Sequence, residues 1–323
     1  MNSLTQKDNN PVLLVDGLNL FMRSFSVSST VSELGEPIGG TVGFLRTLGN
    51  IIDHLHPQKV FVIWEGGGSI RKRNIFPDYK KGSKPFKMNN FYKNDYIDKN
   101  QSRNYQLSLL TKILKHTNIS QIYLSNCEAD DVIGYISKNK CPHVKKIIVS
   151  SDQDMYQLVN DKVTVWSPGI KKIVDENYVY SKFGIRPYNF CLARCFIGDK
   201  SDNLKGIKGL GFKTLLKRFP DLSSNENIEL NDLLNYAGVM NETTKLKIYN
   251  SVVDNKHLLR RNWKIMYLDT LNLSGSQVEK INFLFEQTTP KVDKINLMRI
   301  LVKHGINSFN VDKFVMSIKS SIV

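Results

Sequence analysis

The chain has 323 residues, 41% of them hydrophobic and 23% charged, which is enough apolar content for a sizeable core and excludes a disordered chain. Lys and Arg number 45 against 30 Asp and Glu, so the net charge of +15 points to a polyanionic partner, either nucleic acid or an anionic membrane surface. No apolar stretch approaches the roughly 18 residues of a membrane span, and the polar start MNSLTQKDNN lacks a signal-peptide core, so a cytoplasmic protein is expected.

In chain order, apolar runs rich in β-branched residues predict buried strands at Val12 to Val15, Val60 to Trp64, Ile122 to Leu124 and Ile147 to Val149. Helical periodicity falls between and after them, over Thr41 to Leu55, Tyr105 to His116, Asp130 to Lys138 and Asp154 to Val159. The alternation predicts an α/β fold with a mostly parallel central sheet flanked by helices. Residues 69–101 break the pattern with a polar, basic segment too long for an ordinary connection, which reads as a functional arch or lid. After Tyr188 the chain reads as mostly helical, through a glycine-rich stretch from Gly206 to Phe219 and a polar linker from Ser223 to Asn231. The expected division is an α/β core over 1–187, including the arch, and a helical region over 188–323. The four cysteines, Cys127, Cys141, Cys191 and Cys195, form no CxxC pair and are expected to be buried, reduced thiols.

Acidic residues stand just beyond the predicted strands: Asp16 after LLV, Glu65 after FVIW, Glu128, Asp130 and Asp131 after IYLSN, and Asp152 and Asp154 after IIVSS. Strand ends of a parallel sheet open onto one crevice, so these seven are expected to converge, with Asp199 and Asp202 of GDKSDN joining from the helical half. Carboxylates packed closely raise one another's pKa unless cations neutralise them, so the cluster implies bound metal. Oxygen ligands without His or Cys select hard cations, Mg²⁺ first with Mn²⁺ as a substitute, and two ions about 4 Å apart would serve phosphodiester hydrolysis. Singly, each group also reads as helix capping or a strand-to-helix turn.

Two segments are candidates for holding nucleic acid. SIRKRNIFPDYKKGSKPFK interleaves Arg71, Lys72, Arg73, Lys80, Lys81, Lys84 and Lys87 with Phe76, Tyr79 and Phe86, a pattern suited to following single-strand phosphates and stacking on bases. A solvated lysine-rich loop is its plain alternative. In LKGIKGLGFKTLLKRF, Gly206, Gly209 and Gly211 precede a helix with Lys213, Thr214, Lys217 and Arg218, where backbone amides and a helix N-terminus could meet duplex phosphates. A dinucleotide-binding loop is disfavoured, because no strand leads into the glycines.

The motifs VDGLNL, GGTVGFL, RKRNIFPDYK, CEADDVIG, SSDQDMYQL and GDKSDNLKGIKGLGFKTLLKRF together resemble the flap endonuclease and 5′-3′ exonuclease family in its free-standing bacteriophage-type form, over about residues 12 to 220. The resemblance implies a PIN-like 5′-nuclease core with a basic arch and a glycine-rich helix-turn-helix at about 203–219 that grips duplex DNA. It implies metal ligation, direct or through water, by Asp16, Glu65, Glu128, Asp130, Asp131, Asp152, Asp154, Asp199 and Asp202. Two Mg²⁺ ions are implied, often with K⁺ in the glycine-rich loop. Tyr79 matches an arch aromatic that stacks on substrate and Lys80 an arch lysine that reaches the scissile phosphate. Arg71, Arg73 and Lys84 are further DNA-binding candidates beside Gly206, Gly209, Gly211, Lys213 and Thr214. Lys80, Asp16, Asp130 and Asp152 form the implied catalytic set. Glu65 departs from the Asp common in the family, lengthening that ligand by one methylene.

The implied activity is structure-specific hydrolysis of DNA at 5′ ends, flaps and single-strand/duplex junctions, with RNA primers or RNA–DNA hybrid as further substrates, by a monomer acting alone or with a separate polymerase. Two alternatives stand beside it. One is a junction-binding protein whose catalysis has lapsed, and the other is a PIN-type ribonuclease.

Overall fold

In the structure, a computed structural model that describes residues 10–82 and 98–322, five parallel strands form the centre. They are β1 (Val12–Asp16), β2 (Lys59–Trp64), β3 (Ser120–Tyr123), β4 (Lys146–Val149) and β5 (Val163–Ser167), in the order β3-β2-β1-β4-β5, with a short antiparallel strand β6 (Lys172–Val174) at the edge. The order reverses at β1, so the crevice between the ends of β1 and β4 is the switch point where such sheets take ligands.

The VLLVD run is buried at every position because helices cover both faces of the sheet. Leu13, Val15, Val60, Val62 and Trp64 point to one apolar cluster, and Val12, Leu14, Phe61 and Ile63 to another, the period-two alternation of a pleated strand. Helices α1 (Gly17–Val27), α2 (Gly39–Leu55) and α4 (Lys99–Leu114) cover the first face, while α3 (Ile70–Ile75) opens the basic segment. On the second face lies α5 (Ala129–Asn139), followed by a 3-10 turn over Gln153–Leu158 where the sequence predicts a helix.

Beyond the sheet follow α6 (Glu176–Phe183), α7 (Pro187–Ile197), the hairpin β7 (Gly198–Asp199) and β8 (Leu204–Lys205), and α8 (Phe212–Arg218). The stretch 203–219 therefore holds one helix, and its helical neighbour is α7, on the far side of the hairpin. Then come α9 (Leu230–Thr244), α10 (Lys247–Asp254) and α11 (Lys256–Met266), which share a third apolar cluster with α7 and α8. The last helices return to the sheet. Phe285 of α12 (Gly275–Glu286) stacks on Phe61 at 4.7 Å, and α13 (Lys294–Lys303) and α14 (Val311–Ser321) bury Leu297, Leu301, Phe314 and Ile318 in the cluster beneath α2. Among the described residues, no helix is long and apolar enough to cross a membrane.

Cys127, Cys191 and Cys195 are buried free thiols as expected, but Cys141 is exposed. It follows the end of α5 in a turn with a positive φ of 45°, outside any apolar layer.

Candidate metal centre and nucleic-acid interface

Asp16 ends β1, and its Oδ1 caps α1 by accepting the Asn19 amide at 3.1 Å. Its Oδ2 accepts the Ser150 hydroxyl at 3.2 Å, while Asn19 Oδ1 accepts the Ser151 amide at 3.0 Å, so the VDGLN run fastens α1 to the end of β4. Gly17 is required because a Cβ there would lie 2.6 Å from the Trp64 ring. Burial lifts the Asp16 carboxyl from the usual 3.8 to about 7, and the charges of Glu65 and Asp152 push the same way.

Glu65 follows β2, and the glycine after it sets its neighbourhood. The Asn126 amide donates to the Gly66 carbonyl at 2.9 Å, and a Cβ on Gly66 would come within 1.5 Å of the Leu124 carbonyl oxygen. The loops after β2 and β3 therefore run in contact, placing Glu65 in the field of Glu128 and Asp130. Burial first, then those charges, raises its carboxyl.

Glu128, Asp130 and Asp131 straddle the start of α5, and one oxygen from each lies within 4.8 Å of the others. The ammonium of Lys72 lies among them, 2.7 Å from Glu128 Oε2, 2.9 Å from Asp130 Oδ2 and 3.5 Å from Asp131 Oδ2. Burial alone would depress the Lys72 pKa, but Asp130, Asp131 and Glu128 outweigh it and hold the group well above its usual range. Burial opposes ionisation of Glu128 as well, yet Lys72 and Lys80 bring it down to about 2. Asp131 goes the other way, to about 6, mainly through burial, although Asn272 donates to its Oδ1 at 3.1 Å.

Asp152 and Asp154 follow β4, the first capping the 3-10 turn through the Asp154 amide at 2.9 Å. Asp152 keeps some surface, but the protein hems it in, and this desolvation, with Asp130 and Asp199 nearby, raises its carboxyl. Burial beside Asp152 lifts Asp154 to about 7 even though Arg194 Nε donates to it at 2.9 Å. The same guanidinium binds Asp199, whose Oδ1 accepts the Ser201 amide at 2.7 Å in the β7–β8 turn. Burial works against the charge of Asp199, but Ser201 and Arg194 prevail and lower its pKa. Asp202 reaches about 6, chiefly by burial.

The nine carboxylates thus form one electrostatic network: Asp16 couples to Glu65 and Asp152, Glu65 to Glu128 and Asp130, Asp131 to Asp130 and Glu128, Asp152 to Asp130 and Asp199, Asp154 to Asp152, and Asp202 to Glu128. They do not all share one coordination sphere. Among the described residues, only Glu128, Asp130 and Asp131 converge as a close trio.

The basic segment meets this network at its root. Ser69 caps α3 by accepting the Lys72 amide at 3.2 Å, turning Lys72 inward and leaving Arg73 exposed with its guanidinium on the Gly67 carbonyl. Arg71 donates to the Lys264 carbonyl of α11 at 2.9 Å. Lys80 is 40% exposed, and its Nζ is 2.5 Å from Glu128 Oε1. Tyr79 corrects the expectation of an open stacking ring. It is 5% exposed, packed among Cys191, Cys195, Leu204, Ile265 and Met266, with its hydroxyl donating to Glu128 Oε2 at 2.9 Å. The apolar side chains of this cluster give its face a better partner than solvent does. Lys84, Phe86 and Lys87 lie outside the described residues.

In the glycine-rich stretch the three glycines differ. A Cβ on Gly206 would meet the Ile197 carbonyl oxygen at 2.1 Å, so its need is close packing against α7. Gly209 has a φ of 85°, and Gly211 is the N-cap of α8, both facing open space. Lys213 and Thr214 are exposed on the first turn.

Sequence reasoning missed Lys72 and Arg194 as parts of the site. Lys72 is indistinguishable by composition from the lysines around it. Arg194 did carry a signal, as a lone cation in the apolar helix PYNFCLARCFI just before GDKSDN.

A family model described as 5′-3′ exonuclease, N-terminal resolvase-like domain, matches residues 11–184. A 5′-3′ exonuclease of Buchnera aphidicola (subsp. Schizaphis graminum) is 30% identical over 248 residues, 74% of this chain and 81% of that protein. The thermostable DNA polymerase I of Thermus thermophilus is 30% identical over 239 residues, 73% of this chain but 26% of the polymerase. The fold is similar to that of a bacteriophage T5 flap endonuclease solved as a pseudo-enzyme-product complex with DNA and metal ions, with a TM-score of 0.65 at 18% identity over 92% of this chain and 99% of that one. The match over more than half of its length, from the first strand to the end of α6, shows that the chain belongs to the 5′-3′ exonuclease family.

Proposed function

We propose that the chain is a structure-specific 5′-nuclease, hydrolysing DNA phosphodiesters at 5′ ends, flaps and single-strand/duplex junctions, with RNA–DNA hybrid as a further substrate. The observation that carries this reading is the coupled network of nine carboxylates gathered at the strand ends around the sheet's switch point, with the half-exposed Lys80 of the arch root on Glu128.

The donor set fits divalent metal. Glu128, Asp130 and Asp131 offer oxygens within 4.8 Å of one another, with no nitrogen or sulfur donor, which suits Mg²⁺ and, as a substitute, Mn²⁺. Asp152, Asp154, Asp199 and Asp202 are the residues proposed for a second ion, with Asp16 and Glu65 between the two groups. Bound there, two divalent ions would supply a nucleophile near neutral pH and charge neutralisation at the leaving oxygen. K⁺ at the glycine-rich loop remains part of the proposal on the family's pattern.

The chain's own residues supply positioning. The Lys80 ammonium, now on Glu128, has the exposure to turn to a non-bridging phosphate oxygen, replacing one anionic partner by another. Burial pushes the Tyr79 phenol far up, so it stays a donor and fixes the orientations of Glu128 and Asp202. Arg194 holds Asp154 and Asp199 in register across two elements. Lys213 and the amides at the start of α8 would take the duplex backbone without reading sequence.

The test is cleavage of a 5′-labelled flap, with hairpin RNA and an RNA–DNA hybrid in parallel. Mg²⁺-dependent cutting near the flap base that stops on chelation is the expected result. Cutting of hairpin RNA alone would instead favour a PIN-type ribonuclease, and junction binding without cutting a lapsed enzyme.

A further inference from the structure

Lys72 occupies the place where a cation is most wanted. Its Nζ lies within 3.5 Å of an oxygen from each of Glu128, Asp130 and Asp131, the same trio whose geometry suits a metal ion, and its side chain is 1% exposed. The Ser69 cap and the short helix α3 drive it inward, while its neighbours Arg71 and Arg73 turn to backbone carbonyls elsewhere. A Mg²⁺ ion takes its oxygens at about 2.1 Å, so an ion among these carboxylates would stand within roughly 3–4 Å of the ammonium if Lys72 stayed. Two cations that close, with little water between them, repel strongly.

We propose that Lys72 is an internal counter-ion that neutralises the Glu128–Asp130–Asp131 site in the metal-free protein, competes with the ion entering there, and must leave its oxygens for that ion to be held. Metal entry then detaches the inward anchor of α3 and so loosens the root of the basic segment. The inference rests on the metal-dependent reading given above.

Calorimetric titration with Mn²⁺ of the wild-type protein and of Lys72→Met, both at about pH 8, tests it. Removing the competing charge should tighten the first Mn²⁺ by about tenfold or more. Unchanged or weaker binding in the variant overturns the counter-ion role while leaving the metal reading standing. A wild type that binds no Mn²⁺ overturns both. Should the variant fail to fold, acetylation of wild-type Lys72, followed by mass spectrometry with and without saturating Mn²⁺, decides. A several-fold rise in labelling on metal loading supports displacement, and equal protection in both states contradicts it.

Discussion

The hydroxyl of Tyr79 donates to Asp202 Oδ2 across 3.1 Å, joining the root of the basic segment to the β7–β8 hairpin. The single hydroxyl proton is shared with Glu128 Oε2 at 2.9 Å in a bifurcated bond, so one buried phenol ties together three parts of the chain. A hydrogen bond to a charged group is worth about 1.5–3 kcal/mol, and Tyr79→Phe should lower folding stability by that order while leaving the fold intact. Denaturant unfolding of the two proteins checks this. An unchanged midpoint would mean that the bonds contribute nothing net.

Neutralising one carboxylate from each proposed ion site should separate binding from cutting. Asp130→Asn with Asp154→Asn is expected to abolish cleavage in Mg²⁺ while junction affinity stays within about tenfold, because the basic contacts remain. Flap cleavage and anisotropy on the same DNA measure the two effects. Retained cutting would refute a role for these carboxylates in holding metal.

Arg194 bridges Asp154 and Asp199 with both side chains mostly buried. Removing one partner of a buried ion pair costs about 3–5 kcal/mol because the charge left behind is uncompensated. Arg194→Met should show such a loss in chelator and recover much of it on adding a divalent ion. Thermal unfolding with and without metal is the measurement, and equal loss in both conditions would contradict the second ion site.

The metal-free protein should become less stable as pH rises from about 4 to about 7. Asp16 in the fold holds its proton to about 7 because it is buried, whereas the unfolded chain releases it near the usual 3.8. Below the lower value both states are protonated and nothing is lost. Between the two values the unfolded state alone ionises, at up to about 1.4 kcal/mol per pH unit, and above the upper value the penalty is constant. Asp16→Asn should therefore be the more stable protein in chelator at about pH 8 and show a flatter profile. A variant that melts lower than wild type at that pH would contradict the assignment.

How much of this was readable in the chain depended on what each residue type reveals alone. VLLV and VFVIW read as buried strands because they are short, continuously apolar and rich in β-branched and aromatic residues. VTVWS alternates and lies at the edge beside a three-residue strand, so its weaker signal was passed over, as was β6. The acidic residues were legible because they follow the strands. The burial of Lys72 and Tyr79 was not, since a basic, aromatic segment reads as an open arm, and only packing against α7 and α11 shows which side chains turn inward. Glycines read alike in sequence, yet Gly206 serves packing whereas Gly209 serves a turn.

The duplex contact has its own signature. Lys213 is exposed on α8, and Lys213→Ala should weaken duplex binding evenly across sequences and lower the salt slope by about one. A sequence-dependent loss would contradict backbone recognition.

The central claim, that carboxylates gathered from Asp16 to Asp202 act by holding divalent ions, is tested most directly by anomalous diffraction from crystals soaked in Mn²⁺. The account predicts one ion bound by Glu128, Asp130 and Asp131 and a second about 4 Å away towards Asp152 and Asp154. A crystal with these oxygens well ordered and no anomalous peak among them would contradict it.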